Sequence, residues 1–151
     1  MAKIRVYLDN CAYNRPFDDK ERLTVRMEAE AKLKIQADIR GGVYELVWSY
    51  MNGHENDENP YDYKREAVGL WARIAAAVCP PGEKILESGK RLQKLGIKPK
   101  DALNLACAVE SGCEYFITTD GALLKKAPLI SAVEVVNPID FIRNREGSDD
   151  D

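Results

Sequence analysis

The chain has only one histidine, His54, and no two of its four cysteines have the Cys-x-x-Cys spacing. Because structural zinc sites are built from closely spaced Cys and His ligands, this pattern argues against such a site. Reduced cysteines that pack as small core residues are the simpler interpretation. Cys107 fits it best, because it lies in the apolar run LACAV.

Long apolar runs are also missing. No run reaches the ~20 residues that a membrane-spanning helix needs. The opening segment, MAKIRVYLDN, reaches an aspartate too early to contain the apolar core of a signal peptide. We therefore expect a cytoplasmic protein that does not bind membranes.

The chain also lacks an excess of basic residues, since it has 22 Lys and Arg and 25 Asp and Glu. The net charge of −3 argues against strong nonspecific binding of nucleic acid. An enzyme with an acidic cleft and a basic rim remains compatible with it. A length of 151 residues with 45% hydrophobic content predicts one domain with a sizeable core. We place that domain at 1–146 and expect the acidic segment 147–151 to be a disordered tail.

Apolar segments alternate with amphipathic ones, which predicts an α/β protein: a three-layer α/β/α sandwich with a mainly parallel central sheet. Strands are expected at 3–8, 43–48, 114–119 and 133–136. Residues 10–22 are expected to form a polar loop. Helices are expected from Thr24 to Ile39, after the cap Ser49, from Asn59-Pro60 to Val78, and at 83–95, 99–111 and the C-terminus.

Two of these strands end in the same way, at Asp9 and at Asp120. The carboxyl ends of parallel strands lie at one edge of a sheet, where ligands bind in such folds. Either aspartate alone is also explained as a turn former or helix cap. Asp101 lies in the first turn of the helix that leads into the Asp120 strand, so it reaches the same edge. The helix dipole alone also favours a carboxylate there.

A fourth acid is expected after the second strand. Glu55 is the preferred candidate because it lies on the short helix that follows Ser49. Glu58 and Asp57 are alternatives, and Glu45 is less suitable because it lies within the strand. A solvated acidic loop is the other interpretation of this run.

Converging carboxylates repel one another, and a hard cation removes that repulsion. Oxygen ligands without Cys or His favour Mg²⁺ or Mn²⁺. These metals commonly support hydrolysis of phosphodiesters by water. The candidate metal ligands are Asp9, Asp101 and Asp120.

At these residues the chain resembles the PIN-domain family. The matching pieces are the strand into Asp9, the acid after the second strand, the helix start PKDALNLACAVESG and the strand end FITTD. Together they span about 3–138. The opening VYLDNCAYNRPFDD is similar to that of small stand-alone PIN proteins of the VapC toxin type. The resemblance implies an α/β/α fold and a Mg²⁺- or Mn²⁺-dependent endoribonuclease that acts on single-stranded or structured RNA and is checked by an antitoxin protein. Family members also often form homodimers.

Carried over residue by residue, the resemblance implies that Asp9, Asp101 and Asp120 are the first, third and fourth acids. Glu55 is our assignment for the second, and it follows its strand less closely than is usual in the family. Residues expected to support these acids or to contact RNA are Asn10, Thr118 and Thr119 for the first role, and Arg15, Lys98 and Lys100 for the second. Tyr13 and Phe17 either stack on bases or pack in the core.

Two other functions fit parts of the pattern. A PIN-like binding or scaffold module would have the same fold with a weakened pocket. An Asp-nucleophile phosphatase of another α/β family would need a second Asp two residues after the first, whereas Asp9 is followed by Asn10 and Cys11. The endoribonuclease is therefore the leading hypothesis.

Overall fold

The central element is one sheet of five parallel strands in the order β3-β2-β1-β4-β5. The computed structural model describes residues 3–15 and 22–147. The strands are β1 (Arg5–Leu8), β2 (Glu45–Ser49), β3 (Ala77–Cys79), β4 (Tyr115–Ile117) and β5 (Glu134–Val136). Helices cover both faces of the sheet, so the predicted three-layer α/β/α fold is confirmed.

The helices connect successive strands, as parallel pairing requires. They are α1 (Asn10–Asn14), α2 (Leu23–Arg40), α3 (Tyr50–Asp57), α4 (Asp62–Gly69), α5 (Trp71–Ile74), α6 (Glu83–Gln93), α7 (Pro99–Glu110), α8 (Gly121–Lys125) and α9 (Pro138–Gly147), with a 3₁₀ turn at Ala127–Leu129. Because β1 lies in the middle of the sheet, the segments after β1, β2 and β4 begin side by side at the carboxyl edge.

The core lies on both sides of β1, whose apolar residues alternate between the two faces. Tyr7 faces the cluster that includes α6 and α7, and it stacks on Phe116 of β4 with ring centroids 5.1 Å apart. Val6 and Leu8 face the opposite cluster, which includes residues of α2 and α9. This burial on both faces holds the residue that follows β1 in a fixed position at the edge.

The segment after β1 differs from the predicted loop, because Asn10–Asn14 form the short helix α1. The sequence also predicts Thr24 as the cap of α2, which is wrong. The helix already begins at Leu23, and its cap position is Arg22, which makes no capping hydrogen bond through its side chain. The spacing of Val25, Ala29, Leu33 and Ala37 predicts that they form the buried stripe of α2, and this is only partly correct, since Leu33 is exposed.

The predicted helix from Asn59-Pro60 to Val78 is wrong in its bounds. The spacing of Ala67, Leu70, Ile74 and Ala77 also predicts that they form its buried face, which is wrong as well. The segment is divided into α4 and α5 and followed by β3. Leu70 and Ile74 are exposed, whereas Val68 and Trp71 are buried. The missed strand follows an alanine run, which favours helix locally, but pairing with β2 extends the backbone there.

Four further expectations bear on the interior and the ends of the chain. Cys79, Cys107 and Cys113 are buried free thiols, as expected of core residues. No helix in the described ranges is long and apolar enough to cross a membrane. Phe17 and the predicted tail from 148 onwards lie outside the described residues.

Candidate active site

Asp9 is a buried carboxylate at the carboxyl end of β1, with 7% of its surface exposed. It caps α1, and its Oδ1 accepts a hydrogen bond of 2.9 Å from the backbone N–H of Asn10. Burial raises its pKa to about 6, and repulsion from Glu55 and Asp101 adds to the increase. A group with this pKa is mostly ionised at neutral pH, yet among the described residues no basic side chain forms an ion pair with it.

The other oxygen of Asp9 is held from two sides. Thr118, just after β4, donates a hydrogen bond from Oγ1 to Asp9 Oδ2 over 2.9 Å. The thiol of Cys11 lies 3.3 Å from the same oxygen and donates to it. Cys11 is therefore part of the site rather than the core, and burial raises its pKa to about 12, so it stays a neutral donor. Both partners fix the orientation of the carboxylate.

Glu55 reaches the same region from α3, where Asn104 holds it. Asn104 Nδ2 donates a 2.7 Å hydrogen bond to Glu55 Oε1 and a 3.0 Å bond to the carbonyl of Lys100. Partial burial raises the pKa of Glu55, whereas the Asn104 hydrogen bond and the charge of Lys100 lower it. The orientation of Glu55 towards α7 supports its choice as the second acid.

The competing second acids lie elsewhere. Glu45 is the first residue of β2, at the amino end of the strand, and pairs with Arg5 at 3.6 Å. Glu58 pairs with Lys100 at 3.7 Å and with His54 at 3.4 Å, and both Glu58 and Asp57 are exposed. His54 is exposed as well, as expected of a lone histidine beside a run of acidic residues.

Asp101 and Asp120 are the other two predicted acids of the site. Asp101 lies in the first turn of α7, as predicted, and burial and the charge of Asp120 raise its pKa. Asp120 caps α8, its Oδ1 accepting from the backbone of Ala122 at 3.0 Å. Both strand-end aspartates, Asp9 and Asp120, therefore act as helix caps. In the described residues, no hydrogen bond to the Asp101 carboxylate or to Asp120 Oδ2 is formed, so these oxygens remain available to a ligand.

A buried network of hydrogen bonds supports the acids of the site. Tyr7 donates to Asn104 Oδ1 over 2.5 Å and lies 2.5 Å from Ser49 Oγ. Ser49 caps α3 in a reciprocal capping box with Asn52, as its position after β2 predicts. Asn52 also bonds to Asn10, with its Nδ2 2.7 Å from Asn10 Oδ1. Asn10 therefore acts on Asp9 through its backbone N–H, while its side chain joins α1 to α3.

The network contains residues that the sequence did not single out. Tyr7 and Asn52 carry no motif of their own for this role, since the bonds that join Tyr7 to Ser49 and Asn52 to Asn10 each span 42 positions of the chain. Cys11 had one available signal, which is its position two residues after a strand-end aspartate. Thr119 contributes a backbone N–H to Cys11 at 3.4 Å, while its own buried hydroxyl has no hydrogen-bond partner in the part of the chain that the structure describes.

The donor set fits a hard cation only in part. Across 3–15 and 22–147, no three Asp, Glu, His or Cys side chains lie close enough to hold a metal ion directly. However, the charges of Glu55 and Asp101 raise the pKa of Asp9, that of Asp101 raises the pKa of Glu55, and that of Asp120 raises the pKa of Asp101. All the donor atoms of these acids are oxygens. Mg²⁺ keeps several waters and often contacts only one or two carboxylates directly. In this arrangement a hydrated ion would be held by Asp101 and Asp120.

The predicted substrate-binding residues lie around this edge in different states. Arg15 follows α1 and pairs with Glu28 of α2, with Nε 3.4 Å from Oε1. Lys98 is the cap position of α7, and its charge lowers the pKa of Asp101. Lys100 is largely exposed in the first turn of α7. Tyr13 is fully buried and packs edge-on against Trp48 at 5.5 Å, so it belongs to the core and does not stack on bases.

Solved structures with a similar fold come from VapBC systems. VapBC-1 from nontypeable Haemophilus influenzae matches with a TM-score of 0.57 at 16% identity, over 89% of this chain and 98% of that chain. The chain has a VapC-like PIN fold. VapBC2 from Rickettsia felis, bound to a DNA fragment from their promoter, matches this PIN fold with a TM-score of 0.56 at 11% identity, again over 89% and 98%. No protein-family model and no curated protein sequence matches the chain.

Proposed function

We propose that this PIN-fold chain is a metal-dependent endoribonuclease, the toxin component of a toxin–antitoxin pair. The observation that carries the proposal is the convergence of Asp9, Glu55, Asp101 and Asp120 at the carboxyl edge of the sheet, where the pKa values of Asp9, Glu55 and Asp101 are each raised in part by the charge of a neighbouring acid of this set. Structural similarity to VapBC chains supports it at the level of the fold.

Each acid has a distinct role in this proposal. Mg²⁺ or Mn²⁺ would be held by the carboxylate of Asp101 and by Oδ2 of Asp120, which accept no hydrogen bond from the described residues. Asp9 is held rigidly by Thr118 and adds its negative charge to the site. Such an ion supplies positive charge that activates water and stabilises the phosphate during hydrolysis. Glu55, held by Asn104, is oriented to accept a proton from water.

The substrate and partner follow from the same surface. Lys98 and Lys100 flank the acids at the start of α7, so they contact the phosphates of a single-stranded or structured RNA. Arg15 lies at the end of α1, and its guanidinium forms an ion pair with Glu28. An antitoxin protein is proposed as the partner that blocks this edge.

The deciding experiment is cleavage of a single-stranded RNA with Mg²⁺ or Mn²⁺ and with a chelator. Asp9→Asn and Glu55→Gln are expected to lose at least 100-fold in rate, as is typical when a group that stabilises a transition state is removed. Asp140→Asn is the matched control, because Asp140 is an acid on α9 that pairs with Arg143. Equal cleavage by Asp9→Asn and the parent protein would show that the site is assigned wrongly.

A scaffold or binding module with a weakened pocket is the second candidate. The observation in its favour is that the described acids form no ready-made group of three ligands. A scaffold would neither cleave RNA nor gain thermal stability from Mn²⁺. An active nuclease would do both, so the two candidates are separated by the same set of proteins.

A further inference from the structure

A cavity of about 270 Å³ lies between α1, α2, α4 and α5. Its lining includes Tyr13 of α1, Lys32, Gln36 and Arg40 of α2, and Trp71 of α5. None of the four acids of the candidate active site lines it. The cavity is therefore a separate feature of the fold, and its polar lining is donor-rich.

Lys32 is the central group of this cavity and has only 3% of its surface exposed. Its Nζ makes one long hydrogen bond, 3.4 Å to the carbonyl of Tyr13, and lies 5.2 Å from the Tyr13 ring centroid and 5.8 Å from that of Trp71. No carboxylate of the described residues pairs with it. Burial and the charge of Arg40 lower its pKa to about 7. An ammonium in these surroundings is short of both negative charge and hydrogen-bond acceptors.

Two further donors in the lining have no partner within 3–15 and 22–147. The Tyr13 hydroxyl and the Gln36 Nε2 are both buried and form no hydrogen bond with these residues. Buried polar atoms without partners are rare in native proteins, and an unseen ion or ligand is a standard explanation. Arg40 adds a guanidinium whose carbon lies 4.7 Å from the Trp71 ring centroid.

We propose that this cavity binds a small oxyanion, carried as a phosphate or carboxylate on a molecule with a short apolar body. Lys32 supplies the charge, and Gln36 and Tyr13 donate hydrogen bonds to the oxygens. Each of these donors then gains the partner that it lacks in the free protein. Val68 and Trp71 provide apolar walls for the rest of the molecule.

The size and chemistry of the cavity favour a small ligand. Sites for drug-sized ligands have about 300–1,000 Å³, so this cavity accepts a smaller molecule. Lys32 and Gln36 are more than nine-tenths buried, which restricts access to their donors. A water cluster alone would leave the ammonium without a negative charge.

The test is thermal unfolding of the full chain at pH 6.5 in sodium phosphate, sodium acetate or sodium chloride at matched ionic strength. At an anion concentration of ten times Kd, the Tm of the parent protein should rise by about 3 °C relative to chloride. Response to phosphate alone or to acetate alone identifies which oxyanion the site prefers. Absence of a response to both overturns the proposal.

Three variants separate specific binding from the general stabilising effect of phosphate. Lys32→Met should lose the shift, while Lys34→Met, which removes an exposed lysine of the same helix, should retain it. Gln36→Leu should weaken binding of the anion at least threefold in a calorimetric titration. If Lys32→Met does not fold, this titration tests the proposal in its place. A shift of equal size in the parent and in Lys32→Met or Gln36→Leu would overturn the proposal.

Discussion

The hydroxyl of Thr118 donates a 2.9 Å hydrogen bond to Oδ2 of Asp9 and so joins the end of β4 to the end of β1. Both residues are buried, and they are 109 positions apart in the chain. The bond favours the ionised form of Asp9 and opposes the effect of burial on its pKa. Thr118 therefore has a role beyond the preference of strands for β-branched residues.

Thr118→Val is expected to lower the free energy of unfolding by about 2 kcal/mol. Valine has nearly the same shape as threonine, but it leaves the buried Asp9 carboxylate without this hydrogen-bond donor. It should also slow RNA cleavage, since the orientation of Asp9 becomes less restricted. Urea unfolding and cleavage rates measure the two effects. Thr118→Ser retains the hydroxyl and should keep most of both, so equal losses in the two variants would contradict this role.

Mg²⁺ or Mn²⁺ is expected to raise the Tm of the parent protein by about 5–10 °C at a hundred times Kd. Asp101→Asn should lose most of this gain, because it removes a carboxylate that makes no hydrogen bond with the described residues. Without metal the same variant should be as stable as the parent or more so, since it relieves repulsion on Asp9 and Asp120.

Asp101→Asn should therefore be less stable than the parent protein with metal, and equally or more stable without it. This contrast distinguishes a metal ligand from a purely structural acid. Asp140→Asn should show the metal response of the parent protein, because Asp140 lies on α9 and pairs with Arg143. If Asp101→Asn destabilised the metal-free protein and kept the full metal response, the assignment of Asp101 would be wrong.

Ser49→Ala is expected to cost about 1–3 kcal/mol. The variant removes the cap of α3 and also a buried partner of the Tyr7 hydroxyl. Thr24→Ala should change the free energy of unfolding by less than about 0.5 kcal/mol, because Thr24 lies inside α2 and caps nothing. Denaturant titrations of both variants check this contrast, and a larger loss in Thr24→Ala would show that the start of α2 is misplaced.

Lys32 gives a pH dependence of known sign. Its pKa is about 7 in the folded protein, against an ordinary value of 10.5. Between these values the unfolded chain binds more protons, so stability should rise with pH from about 7 upwards, by about 5 kcal/mol at most. Lys32→Met should be more stable than the parent at pH 7 and should lack this increase.

Urea unfolding of both proteins between pH 7 and pH 9.5 measures this difference. Comparison with Lys32→Met subtracts other groups that titrate in the same range. Lys34→Met should keep the slope of the parent, because Lys34 is exposed and pairs with Asp38 at 2.9 Å. A parent protein with the pH profile of Lys32→Met would show that Lys32 is solvated.

Local sequence was sufficient to determine the α/β class, the three-layer arrangement and the positions of three acids. Asp9 and Asp120 each end an apolar strand, and Asp101 begins a helix after Pro99, so the topology of a parallel sheet brings them to one edge. Ser49 could be predicted as a cap for the same reason, since capping involves only the next three residues.

Only the tertiary structure decided the rest, because those features depend on partners far away in the chain. Strand β3 forms in a segment whose local preference is helical, and pairing with β2 overrides that preference. Glu55 is oriented by Asn104, 49 positions away, and Lys32 is buried by Tyr13 and Trp71 from other helices. Periodicity assigns a residue to a face, but the packing of α1, α2 and α5 determines that this lysine is enclosed without a negative charge.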